Sequence, residues 1–140
     1  SILRDHPLTG AGLNNFRFGP VRDAYPVEGY GPGTILPHAH NEWLQAGADM
    51  GIAGVGALVA LQAAAAWMLW RVWKRGAPDA RVLALATAGG LIAHMIYGLG
   101  DAIPLWDRFA FGLWWMLGMA AALYVLHGRA DPCSASMNSP

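Results

Sequence analysis

Three groups of residues in this 140-residue chain carry side chains suited to chemistry. The first is Pro37-His38-Ala39-His40-Asn41-Glu42, lying just before a long apolar run. An imidazole has a reference pKa near 6.5, so a histidine here is able to accept a proton at neutral pH and act as a general base toward a hydroxyl. By position alone, His40 fits equally well a histidine that only shapes a loop. If the piece is extended, His38, His40 and Glu42 share one face, and two histidines with a glutamate make an acceptable zinc set. Asn41-Glu42 reads as a helix start, however, which would swing Glu42 away. The second group is His94 with Asp101. On a continuous helix, seven residues put them on one face, about 10 Å apart along the axis and too far for direct contact. Ionisable groups avoid lipid, so both are expected to face the protein interior, as site support or as hydrogen-bonded packing. The third group is Arg4, Arg17 and Arg22. Guanidinium binds phosphate oxygens bidentately, although single loop arginines are ordinarily solvated.

The elements that must position these groups are helices in a membrane. Hydrophobic residues make up 55% of the chain and charged residues 13%, against about 25% charged in a soluble domain. Net charge is zero, so no basic field argues for nucleic acid. The single cysteine, Cys133, excludes a disulfide framework or a zinc–cysteine site within the chain. Three uncharged apolar stretches are predicted to span a bilayer, at 51–70, 82–99 and 109–126. At 1.5 Å per residue, about 20 residues cover the hydrocarbon core. The first helix is expected to begin earlier, with Asn41 as N-cap and Glu42 in the first turn. Gly51, Gly54 and Gly56, Gly89-Gly90 and the alanines at 63–66 read as surfaces for close helix packing.

Residues 1–41 are rich in glycine and proline, with no sustained helical period, and read as an ordered extramembrane loop. Gly10-Ala11-Gly12 lacks the third glycine and the strand–helix context of a dinucleotide fingerprint. Arg71, Lys74, Arg75 and Arg81 cluster between the first and second spans, and by the positive-inside rule mark that side as cytoplasmic. Residues 1–41 and 100–108 then lie outside, while residues 128–140 form a disordered cytoplasmic tail. The chain starts without Met or a signal-peptide pattern, which predicts that N-terminal portions of a larger protein are missing.

Taken together, these segments resemble the O-antigen ligase/polymerase superfamily of membrane glycosyltransferases. The family pattern of His, then Asn, Ser or Gln, nine residues, Gly, two residues and Gly, Thr or Tyr is met by His40-Asn41, Glu42 through Met50, and Gly51-Ile52-Ala53-Gly54. An upstream family stretch is matched by His6-Pro7-Leu8-Thr9-Gly10-Ala11-Gly12-Leu13-Asn14-Asn15-Phe16. His94 followed by Asp101 resembles a downstream pair that is frequent in the family. The likeness covers about residues 4–126. It implies an all-α multi-pass enzyme of the bacterial inner membrane with about ten to fourteen helices, each of about 20 apolar residues, of which this chain would supply three. It implies transfer of a glycan, without metal or other cofactor, from an undecaprenyl-diphosphate-linked donor. The acceptor hydroxyl or amide belongs to lipid A core, a growing polysaccharide or a protein, at the periplasmic face among membrane lipid.

In that reading His40 is the catalytic base. Arg17, Arg22 and Arg4, with Asn41 and His38, hold the substrate, and His94 and Asp101 support the site. Two competing expectations are a transporter or channel segment that uses His94 and Asp101 as an ion path, and a metal-dependent membrane hydrolase that uses His38, His40 and Glu42.

Overall fold

The computed structural model describes residues 1–26, 29, 38–103 and 108–129. Pro37, residues 104–107 of the connection predicted to lie outside, and most of the predicted tail with Cys133 lie outside the described residues. Among the described residues the chain is all-helical. Two short helices, α1 (Ile2–Asp5) and α2 (Gly19–Ala24), precede three long ones: α3 (Glu42–Arg75), α4 (Pro78–Gly100) and α5 (Phe111–Leu123), the last continued by a π-helical turn over Tyr124–Gly128. The helices Glu42–Arg75, Pro78–Gly100 and Phe111–Gly128 are long and apolar enough to cross a membrane. A single 3-10 turn at Arg108–Ala110 delays the third helix, so it starts and ends two residues later than the predicted stretch.

Local chemistry accounts for the helix ends. Asn41 caps α3 by accepting the Leu44 N–H on its side chain at 3.0 Å, and Glu42 follows in the first turn, where the helix dipole favours an anion. Lys74 and Arg75 occupy the last turn, where it favours cations. Pro78 opens α4, its fixed φ and missing N–H suiting the first turn. α1 and α2, of four and six residues, are too short to register as a helical period.

α3 and α4 run antiparallel: the first turn of α3 meets the end of α4 through Glu42 and His94, while the end of α3 meets the start of α4 near Gly76 and Ala80. α5 closes the bundle. Ala65, Val72, Ala84, Leu113 and Ala120 are buried where the three helices meet, and the small side chains allow close approach. Trp70, Ile92, Ile96, Phe111 and Trp115 remain exposed, as a lipid-facing surface requires. The basic cluster lies at one end of the bundle, where Arg81 Nε donates to Gly76 O at 2.9 Å and the Arg71 guanidinium sits 5.3 Å from the Trp67 ring centroid. The histidine-bearing junction lies at the other.

The expectation that Gly51 serves helix–helix packing is corrected. Gly51 has φ 66° and ψ −160°, breaking α3 one-third of the way along. The break frees backbone groups, and the N-terminal segment takes them: Ala11 N–H donates to Ala48 O at 2.7 Å, Gly12 N–H to Asp49 O at 3.0 Å, and Ile52 N–H to Pro7 O at 2.7 Å. The approach is so close that a Cβ on Gly51 would lie 2.5 Å from the Leu8 carbonyl carbon, and one on Gly10 2.5 Å from Ala48 O. Both glycines also hold positive φ, which side chains disfavour. The two motif stretches are therefore docked on each other, backbone to backbone.

Candidate functional site

The site lies where α3 begins and α4 ends. Asn41 ties the two ends together: besides capping α3, its Nδ2 donates to Leu99 O at 3.0 Å, a last-turn carbonyl without an intrahelical donor. Both polar ends of the amide thus engage backbone, which makes Asn41 a positioning residue in this arrangement. One residue earlier, His40 holds φ 49°, a left-handed conformation. Such strain persists only where surroundings enforce it, and Gln45 supplies one constraint. Gln45 is buried, and its Oε1 accepts the Ala39 N–H at 2.8 Å. Ala39 is fixed between the two histidines, whose ring centroids lie 4.5 Å apart, edge to face.

Both imidazoles turn toward Asp101, which caps the end of α4. Asp101 Oδ1 lies 3.3 Å from His40 Nδ1 and 3.5 Å from His38 Nδ1. The carboxylate is itself held: Ala102 N–H donates to Oδ1 at 2.8 Å and the Tyr97 hydroxyl to Oδ2 at 2.8 Å. The Ala102 amide, then the Tyr97 hydroxyl, hold the Asp101 carboxyl below the usual carboxylate range. Partial burial opposes them, and the imidazoles add less. Asp101 is thus an anion at neutral pH. With the His40 proton on Nδ1 toward that anion, the lone pair falls on Nε2, the orientation in which a carboxylate prepares a histidine for base catalysis. The His40 side chain is 57% exposed, so an external group has access to it.

His94 lies apart from this cluster. Its Nε2 is 3.1 Å from Glu42 Oε1, and the two side chains are 9% and 5% exposed. Gly98 makes the contact possible, since a Cβ there would lie 2.5 Å from Glu42 Oε2. Two expectations are corrected by this pairing. Glu42 turns inward with the helix and does not join His38 and His40; Asp101 takes the third place beside them. His94 and Asp101 do not share one face of a continuous helix, because Asp101 leaves α4 with φ −150° and ψ 175°. The ion path drawn through His94 and Asp101 is left with the two residues in separate networks.

The arginines sit in the N-terminal segment. Arg4 Nε is 3.9 Å from Asp5 Oδ1 and Arg22 Nε is 3.5 Å from Asp23 Oδ1, while Arg17 is exposed between α1 and α2. Tyr97 and Gln45 are absent from the residues that the sequence singles out. Tyr97 lies four residues before Asp101, a spacing at which helical side chains meet. Gln45 is a lone amide in the first turn of an apolar helix.

Comparison of the chain with known protein families, with curated proteins and with solved structures finds no match.

Proposed function

We propose that this chain carries the acceptor-activating part of a membrane glycosyltransferase of the O-antigen ligase/polymerase type. It works as part of a larger polytopic bundle in the bacterial inner membrane, with residues 1–41 facing the periplasm. The reaction transfers a glycan from an undecaprenyl-diphosphate-linked donor to a hydroxyl or amide of lipid A core, a growing polysaccharide or a protein. His40 Nε2 takes the acceptor proton as the acceptor atom attacks the anomeric carbon. The bond from that carbon to the diphosphate breaks, and the electron pair leaves with undecaprenyl diphosphate. Arg17, Arg22 and Arg4 are assigned to stabilising that departing charge; His38 and Asn41 shape the pocket, and no metal takes part.

The observation that carries the reading is the 3.3 Å approach of His40 Nδ1 to Asp101 at an exposed junction of two membrane-length helices. Three further features support it. The motif match is complete at His40, Asn41, Gly51 and Gly54. The upstream stretch docks onto the Gly51 break. The basic cluster lies at the far end of the bundle, which under the positive-inside rule supports an outer position for His40. His40→Ala in cells is expected to abolish glycan display while membrane insertion stays intact; normal display would defeat the assignment.

A further inference from the structure

We propose that His38, His40 and Asp101 also form a binding site for one divalent cation of the zinc class, and that its occupancy switches off the base at His40. The second half rests on the glycosyltransferase reading above; the first does not.

The geometry is that of a ligand set. One coordinating atom from each of the three residues lies within 4.8 Å of the others. Zinc bonds of about 2.0–2.1 Å to nitrogen and oxygen, arranged tetrahedrally, place neighbouring donor atoms about 3.3–3.4 Å apart. Asp101 Oδ1 stands 3.3 Å from His40 Nδ1 and 3.5 Å from His38 Nδ1. Both spacings lie close to that tetrahedral edge. His38 Nδ1 is sealed from solvent and makes no hydrogen bond to a described residue, so a buried nitrogen is aimed into the cluster. The third edge, between the two imidazole donor atoms, is within 4.8 Å.

The surroundings match those of a metal-bound carboxylate. Ligating carboxylates are themselves hydrogen-bonded, and Asp101 accepts from Tyr97 OH on Oδ2 and from Ala102 N–H on Oδ1. Oδ1 keeps a second lone pair for the cation. Two imidazole nitrogens with one carboxylate favour zinc-class ions over magnesium or calcium, which prefer all-oxygen sites. The exposed side of His40 leaves the fourth position to water. When zinc binds His40 Nδ1, the imidazole proton must sit on Nε2. That nitrogen then donates and no longer accepts, so the acceptor hydroxyl keeps its proton.

The protein, purified in mild detergent and stripped with chelator, is titrated with Co(II), a spectroscopic stand-in for zinc. The expected result is the visible absorption of a tetrahedral cobalt site, displaced by a single zinc ion. His38→Ala and Asp101→Asn should abolish it, and Tyr97→Phe should weaken affinity about ten-fold or more. His127→Ala, at the far end of the bundle, should leave it unchanged. Variants are compared at equal helicity and elution volume, so that unfolding is not read as lost ligation. A missing tetrahedral band, or one that survives both ligand variants, overturns the site. In a parallel transfer assay, excess zinc should stop glycan transfer and chelator should restore it. Undiminished transfer by zinc-saturated protein overturns the switching-off while the site stands. Zinc binding in a protein with no transfer activity, stripped or loaded, leaves the site standing and sinks the glycosyltransferase reading instead.

Discussion

Replacing Gly51 by alanine should undo the docking of the N-terminal segment. Gly51 sits at φ 66° and ψ −160°, a region essentially reserved for glycine, where a side chain costs about 1–3 kcal/mol. The added Cβ would also stand 2.5 Å from Leu8 C and 2.6 Å from Pro7 O. Both are backbone atoms, so the segment must retreat and the 2.7 Å bond from Ile52 N–H to Pro7 O is lost. An N–H left without a partner costs about 1–3 kcal/mol more. The chain has an escape: α3 can straighten, letting the Ala48 and Asp49 carbonyls take helical N–H partners in place of Ala11 and Gly12. Alanine gains about 1 kcal/mol of helix propensity over glycine on that route. All three terms favour release and together cost the docked state about 3–7 kcal/mol, a shift of roughly a hundred-fold or more toward the released segment. Hydrogen exchange at the Ala11, Gly12 and Ile52 amides reads this directly, with limited proteolysis of residues 1–26 as a second readout. Gly56→Ala, where a Cβ meets nothing within 4 Å, is the control and should change neither. Unaltered protection at those amides in Gly51→Ala would refute the reasoning.

Glu42→Ala should destabilise the bundle by about 1–3 kcal/mol by leaving the buried His94 nitrogen without its hydrogen-bond partner, read as a lower thermal midpoint in detergent, with Glu42→Gln costing less. Tyr97→Phe removes one of the two donors on Asp101 and should raise the Asp101 pKa toward its ordinary value, measurable by carboxyl-region NMR or infrared titration. Because Asp101 titrates below its unfolded value, its contribution is present in full above about pH 3.9 and is lost as pH falls through the depressed value. The stability difference between the protein and Asp101→Asn should therefore persist to that pH and vanish only below it, followed by thermal melts across an acid series.

Much of this architecture is legible in the chain. The three spans follow from uninterrupted apolar length, and the Asn41 cap from a polar residue directly before an apolar run. The Gly51 break is not, because a glycine in an apolar segment looks the same whether it receives another helix or the backbone of Pro7 and Leu8. Glu42 could be read as a first-turn charge or as a metal ligand. Its actual partner, His94, lies 52 positions away, and no local pattern reports that distance. For His40 and Asp101 the residue types mark candidates for chemistry, but their contact depends on how the end of α4 packs beside the start of α3, a tertiary fact. The neighbouring Gln45 and Tyr97 are missed because each reads as ordinary helix content until its hydrogen bond is seen.

The pairing of His40 with Asp101 as one catalytic unit is tested most directly by a double-mutant cycle on transfer from a lipid-linked glycan, using His40→Ala, Asp101→Asn and the double variant. His40→Ala should lower the rate by about 10²–10⁴-fold, the range for a lost general base, and adding Asp101→Asn should lower it little further, because groups that act together are not additive. Losses that multiply, or His40→Ala retaining the parent rate, would contradict the account.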